Sequence, residues 1–132
     1  MFKIIDDRHI ELTRGDMLPL TIDAKNEDGT SYEFKVGDIV RIKIFEKGKV
    51  ENVVVEKSFE ITEPCTEFDI DLTANETKIG EYIKKPVEYW YEIEINPDTP
   101  YTNTIVGYDR ELGPAIFWLI PEGGDKNDKS EE

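Results

Sequence analysis

EYWYEIEI, residues 88–95, alternates at every step. Tyr89, Tyr91, Ile93 and Ile95 fall on one face, and Trp90, Glu92 and Glu94 on the other. A period of two predicts a β-strand with one buried face and one wet face. A helix would wrap the same side chains around its axis and leave no apolar side. The pattern contains one anomaly. Trp90 stands among carboxylates on the face that should meet water, where a large aromatic could stack on a sugar or anchor a protein interface.

The alternation recurs. In LPLTIDA (18–24), Leu18, Leu20, Ile22 and Ala24 oppose Thr21 and Asp23. In IVRIKIFE (39–46), Val40, Ile42 and Ile44 oppose Arg41 and Lys43. In TEFDIDL (66–72), Phe68, Ile70 and Leu72 oppose Glu67, Asp69 and Asp71. Strands that are apolar on one side only belong to antiparallel sheets, because parallel strands are usually buried on both faces. Less regular strand signals occur in FKII (2–5), HIEL (9–12), VENVVVEK (50–57), NTIVGY (103–108) and AIFWLI (115–120). Turn residues separate them: Asn26-Glu27-Asp28-Gly29, Val36-Gly37-Asp38, Lys47-Gly48-Lys49, Asn96-Pro97-Asp98 and Leu112-Gly113-Pro114. The Lys47-Gly48 turn predicts a hairpin.

The expected fold is therefore all-β, an antiparallel two-sheet sandwich of seven to eight strands. One stretch departs from the rhythm. Thr73-x-x-Glu76 is a capping-box pattern, while Gly80 and Pro86 forbid a long helix, so one short helical turn is expected. The sandwich should span residues 1–121, with 122–132 as a flexible acidic tail; GGDKNDKSEE (123–132) has no apolar residue.

Composition narrows the function classes. Sixteen basic residues face 30 acidic ones, a formal charge of −14. Phosphate recognition needs the opposite sign, so nucleic acid and anionic membrane surfaces are not expected partners. The acidity suits solubility, or a partner with a basic patch. Cys65 is the only cysteine, which rules out an internal disulfide and a zinc framework. The N-terminal stretch MFKIIDDRHIEL has no apolar run of signal-peptide type, and no segment reaches the roughly 20 apolar residues of a membrane helix. Asn75-Glu76-Thr77 matches a glycosylation acceptor only by coincidence in a chain read as cytosolic.

No catalytic constellation is legible. His9 is the only histidine, and Cys65 has no basic sequence neighbours to activate it. Asp69 and Asp71 share the wet face of a strand and form no calcium loop. The expectation is a non-enzymatic chain without metal or cofactor. The candidate interface residues are Trp90, Trp118 in the uniformly apolar run AIFWLI, and Tyr108. Gly15, Asp16, Gly29, Gly37 and Asp38 are expected to form turns. Gly15 and Asp16 belong to Arg14-Gly15-Asp16, the tripeptide of many adhesion ligands. Between HIEL and LPLTIDA it reads instead as a tight turn.

In order along the chain, ELTRGDMLPLTI, NEDGTSYEFKVGDIVRIKIFE, FDIDLTANETKIGEY, EYWYEIEI and NTIVGYDRELGPAIF resemble the N-terminal immunoglobulin-like domain of bacteriophage upper-baseplate proteins, the carriers of receptor-binding proteins. The residues that carry the likeness are Gly15-Asp16, Asp28-Gly29, Gly37-Asp38, Leu72, Glu76-Thr77, Gly80, Tyr82 and Tyr89/Tyr91. It spans roughly residues 9–120. The chain departs from that pattern by the extension IKKPVE, and the long helix and receptor-carrying parts of the full-length proteins are absent from these residues. The resemblance implies an immunoglobulin-like sandwich and a structural docking module of a phage or prophage tail baseplate. Such a module would be made in the host cytoplasm, would sit in the virion and would contact other tail proteins or copies of itself. The alternative is a sandwich that binds host-surface glycans through Trp90.

Overall fold

The computed structural model describes residues 2–5, 8–81 and 83–122. Tyr82 and the tail 123–132 lie outside the described residues. The described chain forms nine strands: β1 (Phe2–Ile5), β2 (His9–Thr13), β3 (Leu18–Ile22), β4 (Ile39–Glu46), β5 (Lys49–Glu60), β6 (Phe68–Leu72), β7 (Val87–Ile95), β8 (Asn103–Val106) and β9 (Ile116–Ile120). The fold is an all-β, antiparallel-rich sandwich of two sheets.

The division between sheets is uneven. Seven strands form one sheet in the order β1-β2-β9-β7-β4-β5, with β8 also on β7; β3 and β6 form the other. β7 is the spine. One edge pairs with β4 along its length, and the other pairs first with β9 and then with β8. Period-two burial follows from this position: Tyr91, Ile93 and Ile95 point inward, while Glu92 and Glu94 point out. Val40, Ile42, Ile44, Phe117 and Leu119 line the same inner layer and are fully buried. Leu18, Ile22, Ile70 and Leu72 meet them from the two-stranded sheet. Burying a large aliphatic side chain is worth about 1.5–3 kcal/mol, so this layer is the main source of stability.

Two details differ from the alternation-based expectation. The strands number nine among the described residues, since each weak signal forms a strand. β2 and β9 pair in parallel, Ile10 to Phe117 and Leu12 to Leu119, because β9 enters between β2 and β7 after a long excursion. The capping box closes a single turn, as the sequence predicts. Glu76 Oε1 accepts from Thr73 N at 2.7 Å, Thr73 Oγ1 accepts from Glu76 N at 3.4 Å, and Thr77 N donates to Thr73 O. No helix propagates beyond that turn.

Phe45 breaks the pattern in an informative way. It follows the inward Ile44, so it must face outward, yet it is 4% exposed. Both faces of the large sheet are therefore covered at this end of β4.

Candidate functional site

Phe45 lies opposite Trp90 across the β4–β7 ladder and opposite Val53 across the β4–β5 ladder. Around them the outer face carries a second, small apolar cluster. A cleft of about 140 Å3 opens there, lined by Phe45, Gly48, Val50, Trp90, Tyr91, Glu92, Tyr108, Pro114 and Ala115. The Trp90 and Tyr108 rings stand 6.3 Å apart, tilted at 50°. Tyr108 is 68% exposed and Val50 48%. Trp90 is half-buried, and its indole N–H donates to Glu88 at 3.0 Å.

A stiff loop holds Tyr108 over the sheet. Asp109 and Gly113 exchange backbone hydrogen bonds at 2.8 and 2.7 Å. The Asp109 carboxylate accepts from the backbone N–H of Glu111 and Leu112, and hydrogen bonds from Leu112 and then Glu111 hold it below the usual carboxylate range. Gly113 takes φ +84°, a left-handed conformation that costs glycine little. Arg8 ties both ends of the loop, donating from Nη2 to Gly107 O at 3.0 Å and Gly113 O at 2.7 Å. The hydroxyl of Tyr91 donates to the carbonyl of Arg8, and burial pushes that phenol up to about 12. One wall of the cleft is thus preorganised by a segment from the other end of the sequence.

The three candidate interface residues share the outer face of the large sheet. Trp118 pairs with Glu88 on β7 and Glu11 on β2, and Trp90 pairs with Ile116. Trp118 is half-buried between two carboxylate-bearing strands and does not line the cleft. Trp90 and Tyr108 do. Sequence reasoning missed Phe45, Val50 and Glu92. The adjacent apolar pair Ile44-Phe45 was the one available signal, since period two forbids two neighbouring core residues on a strand with one wet face.

The turn-forming residues lie elsewhere. Gly15, Gly29 and Gly37 take φ +89°, +89° and +95°. Asp16 N donates to Thr13 O, closing the turn around Gly15. The side chain of Arg14 is 12% exposed and turned inward, donating to Ile79 O at 3.0 Å, Gly80 O at 2.7 Å and Glu122 at 3.2 Å. An adhesion receptor needs that guanidinium free, and here it clamps three chain segments together. Glu122, expected as the first tail residue, is docked by this contact. Asp38 Oδ2 accepts from Lys35 N and the Tyr32 hydroxyl, while Asn96 Nδ2 reaches Oδ1.

The remaining candidates are structural. His9 Nδ1 accepts from Ile116 N at 3.1 Å, beside the start of the β2–β9 ladder. Cys65 exchanges backbone bonds with Phe34. Asp69 accepts from the Thr21 hydroxyl, and Asp71 lies 3.5 Å from Lys57. Among the described residues no cluster of His, Cys, Asp or Glu could hold a metal ion, and no helix is long and apolar enough to cross a membrane. Thr77, the hydroxyl residue of the glycosylation-like triplet, is fully buried.

Wider grooves exist. One of about 540 Å3 runs past Asp23–Glu27 and Asn103–Ile105, and one of about 640 Å3 lies along β3 and β6. Neither brings together two aromatic rings and a half-buried carboxylate. Comparison of the chain with known protein families, characterised proteins and solved structures finds no match.

Proposed function

We propose that this chain is a non-catalytic docking module that binds other proteins through the outer face of its large sheet. The carrying observation is the cleft framed by Trp90, Tyr108, Val50 and Phe45. It combines an aromatic anchor, apolar walls and a fixed loop, the features that concentrate energy at protein interfaces. Edge strand β5 adds Val53 and Val54, which are 38% and 39% exposed. Sequence order resembling phage upper-baseplate domains supplies the biological setting of this reading: a tail or baseplate component that assembles with neighbouring tail proteins or with itself.

A glycan platform is the competing reading. Sugar-stacking sites present flat, open ring faces, whereas Trp90 and Tyr108 meet at 50° and form a V. That geometry favours a protein side chain.

The test is assembly. The chain is co-expressed with the products of its neighbouring open reading frames and analysed by size-exclusion chromatography with light scattering. The reading expects a defined complex that Val50→Glu or Tyr108→Ala disrupts while the fold persists. A chain that stays monomeric at high concentration and joins none of those products refutes it.

A further inference from the structure

The cleft is apolar on its walls and acidic along its rim. β7 sets Glu88, Trp90 and Glu92 at alternate positions, so the indole has a carboxylate on each side. Glu88 is engaged, accepting from the Trp90 indole and lying 3.4 Å from Lys47 Nζ. Glu94, one step further, is engaged by Arg41 at 2.8 Å. Arg41 is itself shared with Asp98 at 3.1 Å and Glu56 at 3.5 Å. Glu92 differs from both. It lines the cleft, yet among the described residues no cation lies within ion-pairing distance of it.

Burial, and then the neighbouring Glu94, raise the Glu92 carboxyl above its ordinary range. Lys43, its partner across β4, and Arg41 pull the other way without offsetting this. A half-buried carboxylate among aromatic rings is costly for the isolated chain and favourable for an incoming cation. The formal charge of −14 draws cationic groups toward the surface.

We propose that this cleft accepts an arginine side chain from a basic segment of a protein partner, with the guanidinium laid against Trp90 and Tyr108 and paired with Glu92. The proposal rests on the docking reading above and names the chemistry of the partner. A guanidinium suits the site better than an ammonium because it is planar, weakly hydrated and stacks on rings while its edge donates to a carboxylate. At about 140 Å3 the cleft is far smaller than the roughly 300–1,000 Å3 of drug-sized ligand sites. It fits one side chain.

The test uses the 15N-labelled chain, whose two indole N–H resonances are assigned with Trp118→Phe. It is titrated with a hexapeptide containing two arginines and with the same peptide carrying citrulline, a neutral isostere. The arginine peptide is expected to move the Trp90 resonance and leave Trp118 in place, with the citrulline peptide binding about tenfold more weakly, the effect of one charge contact. Glu92→Gln, which keeps the shape and relieves a raised carboxyl, should lower arginine-peptide affinity by a similar factor. Equal binding of both peptides overturns the proposal, as does an undisturbed Trp90 resonance or indifference to Glu92→Gln. A shift of Trp90 by methyl pyranosides but not by the arginine peptide overturns it in favour of a glycan. If the tail-protein complex forms and tolerates Glu92→Gln, the arginine pocket falls and the docking reading stands. If no complex forms, the docking reading itself falls.

Discussion

Thr77→Val probes how the Arg14-Gly15-Asp16 turn is held. Thr77 is fully buried, and its hydroxyl donates to Asp16 O at 2.7 Å, with Ala74 O at 3.1 Å. Valine has nearly the same shape, so packing persists while the donor vanishes. Losing a buried hydrogen bond in this way costs about 1–3 kcal/mol. For a chain of this length each kcal/mol lowers Tm by about 4 °C, so a fall of about 8 °C is expected in a thermal melt followed by circular dichroism. Thr77→Ser keeps the hydroxyl and loses one methyl, which should cost about 1 kcal/mol. The ordering is the test: valine must be worse than serine. A second layer follows, because the turn that holds Thr77 also leads to the Ile79 and Gly80 carbonyls that Arg14 grips. Thr77→Val and Arg14→Ala should therefore be non-additive in a double-mutant cycle, by at least about 0.5 kcal/mol. A Thr77→Val protein that melts with the parent, or two strictly additive substitutions, would refute the claim that hydrogen bonds lock this turn to the 73–80 segment.

Further expectations concern the core, pH and the Tyr108 loop. Ile42→Asp places a charge where the side chain is 0% exposed and should unfold the domain, since several kcal/mol are lost from a total of about 5–15. Lys43→Gln, one residue on and facing outward, should change stability by less than about 1 kcal/mol; similar urea midpoints for the two would invalidate the face assignment. Burial raises the Asp38 carboxyl, but hydrogen bonds from Lys35 N–H, Asn96 and Tyr32 outweigh it and leave the value depressed. A depressed carboxyl stabilises the fold above its unfolded value and loses that contribution as pH falls through the folded one. Asp38→Asn should thus be less stable than the parent at pH 7, and the gap should close below about pH 4; a gap that widens in acid would reverse the sign. Asp109→Ala removes the acceptor for Glu111 and Leu112 N–H, so amide exchange in residues 109–113 should accelerate while β7 amides stay protected.

The residues of the cleft show where sequence reading stops. EYWYEIEI declares which side chains face in and marks Trp90 as misplaced among carboxylates. It does not say what stands beside Trp90. Tyr108 is 18 positions further on in a loop, Phe45 and Val50 belong to the preceding hairpin, and Arg8 steadies the loop from the far end of the chain. Only strand order brings them together. Trp118 shows the converse: the apolar run AIFWLI hides its faces, and the β2–β9 and β7–β9 registers place the indole outward between Glu11 and Glu88.

Period two is a local property, set by the alternate directions of successive side chains, so the chain alone determined an all-β sandwich with Ile42, Ile93 and Ile70 in its core. The glycines with positive φ were local too, since their freedom depends on having no Cβ. The parallel β2–β9 pair, the division of the described strands into seven and two, the inward turn of Arg14 and the placement of Glu92 beside two tilted rings were decided by tertiary structure. Each depends on contacts between residues far apart in sequence, and no periodicity within a single strand encodes which strand will lie next to it.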